Sequence, residues 1–148
     1  MSYILLILLL LAIDQATKLI AILFLKGNEK LVLIDKILEF YYTENFGAAF
    51  SSFMGQRILL IILTFAILIF FIVLLKNNYH KQEKKIINYS CCFIISGAVG
   101  NLIDRIFNGF VVDFIYIKSI NFPVFNIADV CIVIGTLIFF VCVGFVKE

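Results

Sequence analysis

Acidic residues in the last third of the sequence are the ones whose types and spacing could do chemistry. The stretch GNLIDRIFNGFVVDF places Asp104 and Asp113 among apolar neighbours, and FPVFNIAD places Asp129 a short distance further on. Two carboxyl groups that meet in a poorly solvated site tend to hold one proton between them. One can then deprotonate a water while the other protonates the carbonyl under attack. If Asp113 and Asp129 converge, they predict peptide hydrolysis of the aspartic type.

The local sequence gives these three carboxylates different surroundings. Asp113 has no Lys or Arg within four positions, so no near neighbour in the chain neutralises it. Asn126 is a good helix N-cap, and Asp129 follows at the third helical position, where a carboxylate suits the positive end of the helix dipole. Asp104 has Arg105 beside it, which favours a scaffolding role over chemistry.

A second pair of charges, Asp14 and Lys18, lies in the first apolar run of the sequence. The two residues are four positions apart, so they share one helix face and can pair inside the membrane. Such a pair either permits insertion of the helix or helps to shape the outer end of a helical bundle, and the sequence leaves both interpretations open.

The sequence lacks the motifs of other hydrolytic and nucleotide-dependent chemistries. No HExxH, GxSxG or P-loop pattern occurs, which argues against zinc proteolysis, serine hydrolysis and nucleotide use. The single histidine, His80, lies beside Lys81 in a polar connection, where we expect it to be solvated. A metal held by Asp104, Asp113 and Asp129 is an alternative, but hard cations usually take more oxygen ligands. We therefore expect no metal and no cofactor.

The composition decides the class of protein. Of the 148 residues, 64% are hydrophobic and 15% are charged, so the apolar surface is too large for a soluble core. We predict an integral membrane protein with one domain over residues 1–148. The net charge of +2 is too small to suggest nucleic acid as a partner. The four cysteines all lie in apolar runs, and we expect them to act as small hydrophobic residues rather than to form disulfides.

Four runs are long enough to span a bilayer as helices, a length of about 20 residues. They are 3–25, 57–75, 86–107 and 126–146. Positive charge is densest in the connection KNNYHKQEKK, residues 76–85, which predicts that this connection is cytoplasmic. Both termini are then cytoplasmic as well, and the outer segments are 26–56 and 108–125.

The two outer segments are expected to contain short strands. Residues 31–46, LVLIDKILEFYYTENF, are rich in branched and aromatic residues but too short to span. They predict strands or an amphipathic piece on the outer leaflet, with Phe40, Tyr41 and Tyr42 at the interface. Branched residues around VVDF predict that Asp113 lies on a strand or loop at the membrane surface.

Two rival functions follow from the same residues. In a channel or transporter subunit, intramembrane Asp14, Asp104 and Asp129 would relay protons or bind cations. In a structural membrane subunit, all polar residues would serve as contacts between helices. The channel or transporter predicts ion flux in liposomes without peptide cleavage. The structural subunit predicts that no single Asp matters to any reaction.

Five segments together resemble the bacterial lipoprotein signal peptidases, also called signal peptidase II, over nearly the whole chain. The segments are IDQATK (13–18), ENFGAAFS (44–51), GNLIDR (100–105), VVDF (111–114) and FPVFNIADVCIVIG (122–135). The resemblance implies four transmembrane helices with a small extracytoplasmic β-sheet cradle and an extracytoplasmic helix between the first two spans. It also implies residence in the inner membrane, with the active site at the extracytoplasmic face.

The activity implied by the resemblance is removal of the signal peptide from diacylglyceryl-modified prolipoproteins, just before the lipidated cysteine. The family's catalytic dyad falls on Asp113 and Asp129. Lipidated prolipoproteins, membrane lipid and globomycin-type cyclic peptide inhibitors are the implied partners. Supporting positions of the family match Asp14, Lys18, Asn45, Asn101, Asp104, Arg105 and Asn126. The small residues Gly47, Ala48 and Ala49 suit either close approach of a substrate backbone or tight packing at the end of a loop, and the sequence leaves both interpretations open.

Overall fold

Four long apolar helices make up most of the chain in the computed structural model, which describes residues 2–28, 30–48, 52–81 and 84–145. The helices are α1 (Tyr3–Leu25), α2 (Arg57–Asn78), α3 (Lys85–Phe107) and α4 (Ile127–Phe145). Each is long and apolar enough to cross a membrane. The four predicted helices are confirmed: the first matches at both ends, the second extends to residue 78, and the third and fourth begin within one residue of the expected start. Residue 146, the predicted end of the fourth span, lies outside the described residues.

Helix α3 is the centre of the bundle. It packs against α1, α2 and α4. In its 18-residue apolar stretch 72% of the residues are buried, against 17% or less in the corresponding stretches of the other three helices. The sequence explains this difference, because α3 carries small and polar residues where the other helices carry Leu, Ile and Phe. The outward faces of α1, α2 and α4 are apolar and exposed, as expected for surfaces that face lipid.

Two glycines of α3 let its neighbours approach closely. A Cβ atom on Gly97 would lie closer than 3.0 Å to the backbone oxygen of Ala128 and to the Ile132 side chain of α4, and one on Gly100 would overlap Asp14 of α1. Small residues four positions apart, as Ser96 and Gly100 are, predict such a close approach between membrane helices. Gly100 allows it towards both α1 and α4, and Gly97 adds a second close contact that the sequence analysis did not single out.

A three-stranded antiparallel sheet is built from the two outer segments. Its strands are β1 (Leu31–Ile34), β2 (Leu38–Asn45) and β3 (Val111–Ile117), in the order β1-β2-β3. The expected strands are thus confirmed, and Asp113 lies on β3 rather than in a helix. A short 3-10 turn, Lys118–Ile120, follows β3. The extracytoplasmic helix implied for residues 26–56 is not among the described residues of that segment, since residues 52–55 form a turn and residues 49–51 lie outside the description.

An irregularity in the β2–β3 ladder brings β2 side chains to Asp113. Phe40 pairs with Ile115 and Thr43 pairs with Asp113, so β2 uses three steps where β3 uses two. This extra residue is a β-bulge, a device that re-aims side chains. Beyond it, Asn45 lies diagonally across from Asp113 on the same face of the sheet.

The segment before α4 is bonded to the free edge of β3. The backbone N–H of Ile115 donates to the carbonyl of Phe125 (2.9 Å), and the N–H of Phe125 donates back to Ile115 (3.0 Å). Phe125 lies two residues before the start of α4, next to the N-cap residue Asn126. This pairing therefore fixes the N-terminus of α4 next to the strand that carries Asp113.

The remaining expectations about the fold concern cysteines and aromatic residues. Cys91, Cys92, Cys131 and Cys142 are free thiols, as expected. In β2, the half-buried Phe40 contacts Phe114 edge-on, and Tyr41 contacts Tyr116 in the same way. The placement of Phe40, Tyr41 and Tyr42 at a membrane interface stays a prediction.

Candidate active site

Asp113 is held in place by two amide side chains from different elements. Asp113 is buried, with only 2% of its surface exposed. Asn126 Nδ2 donates to Asp113 Oδ1 (2.7 Å), and Asn45 Nδ2 donates to Asp113 Oδ2 (2.9 Å). Because Asn45 Oδ1 itself accepts the N–H of Gly47 (2.9 Å), its NH₂ group must face the carboxyl group. Asp113 therefore has a fixed orientation, and its bonded side-chain partners among the described residues are neutral amides.

Asp129 is fixed by the first turn of α4. Its backbone N–H donates to Asn126 Oδ1 (2.9 Å), while its Oδ2 accepts the backbone N–H of Asn126 (3.2 Å). This reciprocal arrangement is a capping box, and it confirms the prediction of an Asn126 N-cap with Asp129 at the third helical position. The other oxygen, Oδ1, accepts from Asn101 Nδ2 of α3 (2.8 Å).

The two carboxyl groups open onto one cavity and are linked through one residue. Asn126 bonds to both of them, and both line a cavity of about 790 Å³. Asn45, Asn101 and Arg105 also line it, and most of the remaining wall is apolar. The apolar lining residues are Phe46, Ala48, Met54, Val111, Phe122, Pro123, Val124, Phe125, Val130, Ile132, Val133 and Ile134. A peptide with large apolar groups fits such a lining.

Burial, and after it the negative charge of Asp129, raise the pKa of Asp113 to about 7. The hydrogen bonds from Asn45 and Asn126, and the charge of Lys18, oppose these effects only in part. At neutral pH the carboxyl group of Asp113 is therefore able to hold a proton. A carboxylic acid beside a second carboxyl group is the arrangement that the chemistry of shared-proton hydrolysis requires.

The predicted pair of Asp14 and Lys18 is present, and it has a third member. Lys18 Nζ lies 3.0 Å from Asp14 Oδ2 and 3.0 Å from Asp104 Oδ2, and all three residues are buried. Asp14 Oδ1 also accepts the backbone N–H of Ala128 (2.8 Å), so α1 caps the start of α4. Of the two interpretations left open, the structure favours shaping of the outer end of the bundle.

Asp104 and Arg105 act on different parts of the site although they are adjacent in sequence. Asp104 Oδ2 pairs with Lys18 and accepts the N–H of Val112 (3.1 Å), which anchors β3 to α3. Arg105 Nη2 donates to the carbonyl of Gly47 (2.9 Å) and so holds the loop after β2. Both contacts agree with the expected scaffolding role of Asp104 and with the expected place of Gly47 beside the site. Ala49 lies outside the described residues.

The structure brings together every described residue that the sequence analysis named for the site. It also shows contributors that the sequence analysis missed. Gly97 sets the spacing of α3 and α4, Phe125 ties β3 to α4, and Met54 and Val133 line the cavity. Gly97 could have been found from its spacing of three residues before Gly100, whereas the apolar wall carries no signal that separates it from lipid-facing residues.

Comparison with known proteins decides the family. The family model described as signal peptidase (SPase) II matches residues 6–145. The chain belongs to this family. It is a membrane-bound peptidase that removes signal peptides from bacterial lipoproteins, as the resemblance of its sequence implied.

Individual relatives agree with this assignment. The lipoprotein signal peptidase of Clostridium tetani is 43% identical over 139 residues, which cover 92% of this chain and 86% of the relative. That of Clostridium novyi is 39% identical over 128 residues, covering 84% of this chain and 85% of the relative. A solved structure of a bacterial membrane enzyme superimposes with a TM-score of 0.84 at 29% identity and covers 96% of this chain and 87% of its own.

Proposed function

We propose that this peptidase cleaves diacylglyceryl-modified prolipoproteins just before the lipidated cysteine, with Asp113 and Asp129 as its catalytic dyad. The observation that carries the proposal is that both carboxyl groups line one apolar cavity and are held by the same asparagine, Asn126. The apolar walls suit acyl chains, and the polar groups are confined to the place where the scissile peptide bond would lie.

The proposed reaction uses water as the nucleophile. A water between the dyad loses one proton to the ionised carboxylate, and its oxygen bonds to the scissile carbonyl carbon. The protonated carboxyl group donates its proton to the carbonyl oxygen, which forms a neutral tetrahedral intermediate. Collapse of the intermediate breaks the C–N bond, the amine leaves with the proton taken from water, and the new acid returns a proton to the dyad.

The amide side chains around the dyad have positioning roles in this proposal. Asn45, Asn101 and Asn126 donate hydrogen bonds to the carboxyl groups without adding net charge. Arg105 holds the carbonyl of Gly47, and with it the loop that would lie beside the bound substrate. Lys18 of α1 pairs with Asp104 near the end of α3, and Asp14 of α1 accepts the N–H of Ala128 at the start of α4, so α1 holds both of these helix ends.

The orientation in the membrane follows from the lysines and from the place of the dyad. The connection between α2 and α3 carries Lys76, Lys81, Lys84 and Lys85, which favours the cytoplasmic side. Asp129 lies in the first turn of α4, and Asn101 lies near the end of α3, at the opposite end of α3 from that connection. The proposed active site is therefore at the extracytoplasmic face, both termini are cytoplasmic, and the chain forms one domain in the inner membrane. Globomycin-type cyclic peptides are expected to compete for the cavity.

The experiment that tests the substrate assignment uses a matched pair of prolipoproteins. The purified enzyme, in detergent, is incubated with a prolipoprotein that carries the diacylglyceryl group on its cysteine and with the same protein without the lipid. We expect cleavage before the cysteine in the lipidated substrate alone. Equal cleavage of both forms would overturn the requirement for lipid, and cleavage at another bond would overturn the site of the cut.

A further inference from the structure

A buried lysine stands behind the proposed dyad, and the reaction described above gives it no chemical step. Lys18 is 2% exposed and lies on α1. Its ammonium group contacts three acceptors: one oxygen each of Asp14 and Asp104, and Asn101 Oδ1, all at 3.0 Å. The two carboxylates neutralise the charge of Lys18. The third contact is with Asn101, which also donates a hydrogen bond to Asp129.

The contact with Lys18 fixes the orientation of the Asn101 amide. An ammonium group only donates hydrogen bonds, so the Asn101 atom that faces it must be the oxygen. Asn126 Nδ2 also donates to this oxygen (3.2 Å), which requires the same orientation. The NH₂ group of Asn101 is therefore directed at Asp129 Oδ1, to which it donates at 2.8 Å.

The two members of the dyad consequently differ in their donors. Asp129 accepts one backbone N–H at the N-terminus of α4 and one amide that a cation polarises. Asp113 lies on a strand, where no helix dipole supports its charge, and accepts two amides whose own oxygens are bonded to backbone N–H groups, those of Gly47 and Asp129. Charge-assisted donors and helix N-termini favour the ionised form of a carboxyl group.

We propose that Lys18, acting through Asn101, is the positioning residue that assigns the two catalytic roles, so that Asp129 rests ionised as the base and Asp113 rests protonated as the acid. This inference depends on the proposed dyad and extends it. The pKa of Asp113, raised to about 7 by burial and by the charge of Asp129, agrees with this division. Other titratable or charged groups around the dyad are Asp14 on α1, Asp104 and Arg105 on α3, and Glu44 on β2.

A charge-balanced variant tests the role of Lys18. Lys18→Met alone would leave two buried carboxylates without a cation, so it is combined with Asp104→Asn, and Asp104→Asn alone is the matched control because it keeps Lys18 next to Asn101. The measurement is kcat and KM for lipidated prolipoprotein as a function of pH. We expect the acid limb of the kcat profile to lie about one pH unit or more higher in the double variant than in the control, because Asp129 has lost a charge-assisted donor. KM should change little.

A second variant, Asn101→Leu, breaks the same connection from its other end and leaves Lys18 paired with both carboxylates. It should shift the acid limb in the same direction. A purely structural role would lower the folded yield of these variants and leave the midpoint of the profile unchanged in the folded fraction. An unshifted midpoint in either folded variant would overturn the inference.

The proposed dyad can fail separately from this inference. Loss of cleavage in Asp113→Asn and Asp129→Asn, together with an unshifted acid limb, would keep the dyad and remove the role of Lys18. Full cleavage in either Asp→Asn variant would remove the dyad and this inference with it.

Discussion

Replacement of Gly97 by alanine is the substitution for which the structure gives the clearest magnitude. Gly97 lies on α3 where the first turn of α4 crosses it, and an added Cβ would lie closer than 3.0 Å to the Ala128 backbone oxygen and to Ile132 Cγ1. The Ala128 oxygen belongs to the backbone, so it can move only if α4 moves. An ordinary contact begins at 3.4 Å, so α3 and α4 must separate by about 1 Å to restore van der Waals distance.

Such a separation acts directly on Asp129, the residue after Ala128. Overpacking of a helix contact costs roughly 1–3 kcal/mol of stability. The effect on catalysis should be larger, since a misplacement of about 1 Å can lower the rate about 10²-fold. The 2.8 Å bond between Asn101 and Asp129 crosses the same α3–α4 contact and would be stretched.

The assay is steady-state cleavage of a lipidated prolipoprotein in detergent, together with thermal unfolding. We expect Gly97→Ala to keep a folded protein whose kcat is about 100-fold lower than that of the wild type. Gly144→Ala is the matched control, because a Cβ there meets nothing within 4 Å. It should keep full activity. A wild-type kcat in Gly97→Ala would refute the argument that the α3–α4 contact positions the dyad.

Three further changes test other parts of the structure. Asn45→Leu removes a donor that favours the ionised form of Asp113, so the alkaline limb of the kcat profile should move to higher pH; an unchanged limb would contradict that role. Hydrogen bonds from Lys118 and Lys30 lower the pKa of Glu39 below 4.5, so its contribution to stability is fully present above pH 4.5 and is lost as the pH falls through the lowered pKa. The melting temperature of Glu39→Gln should therefore be lower than that of the wild type at pH 7 and equal to it in acid. Arg57→Met removes two hydrogen bonds to the last carbonyls of α3 (2.7 and 2.9 Å) and should cost about 1 kcal/mol, or about 3 °C in melting temperature, and an unchanged melting temperature would count against this cap.

The helices and the local geometry of the site could be predicted because they depend on near neighbours in the chain. Long apolar runs require helices in a membrane, and the N-cap at Asn126 with Asp129 three residues later is a property of four consecutive residues. The i,i+4 pairing of Asp14 with Lys18 is local in the same sense.

The long-range contacts could not be predicted from the residues alone. Lys18 also pairs with Asp104, which is 86 positions away, and only the packing of α1 against α3 brings them together. The pairing of Phe125 with β3 and the bulge opposite Phe114 likewise depend on how the outer segments fold over the bundle. The resemblance to a known family identified Asp113 and Asp129 as partners, whereas their shared contact with Asn126 is visible only in three dimensions.

The central claim, that Asp113 and Asp129 carry out the cleavage together, is tested most directly by single replacements of each. Asp113→Asn and Asp129→Asn change one oxygen to nitrogen and keep the size of the side chain, so both proteins should remain folded in the membrane. We predict that each variant elutes and melts like a folded protein and cleaves lipidated prolipoprotein about 10³-fold more slowly or not at all. Asp104→Asn, measured in parallel, should mainly lower the yield of folded protein. Wild-type cleavage by either Asp113→Asn or Asp129→Asn would contradict the account.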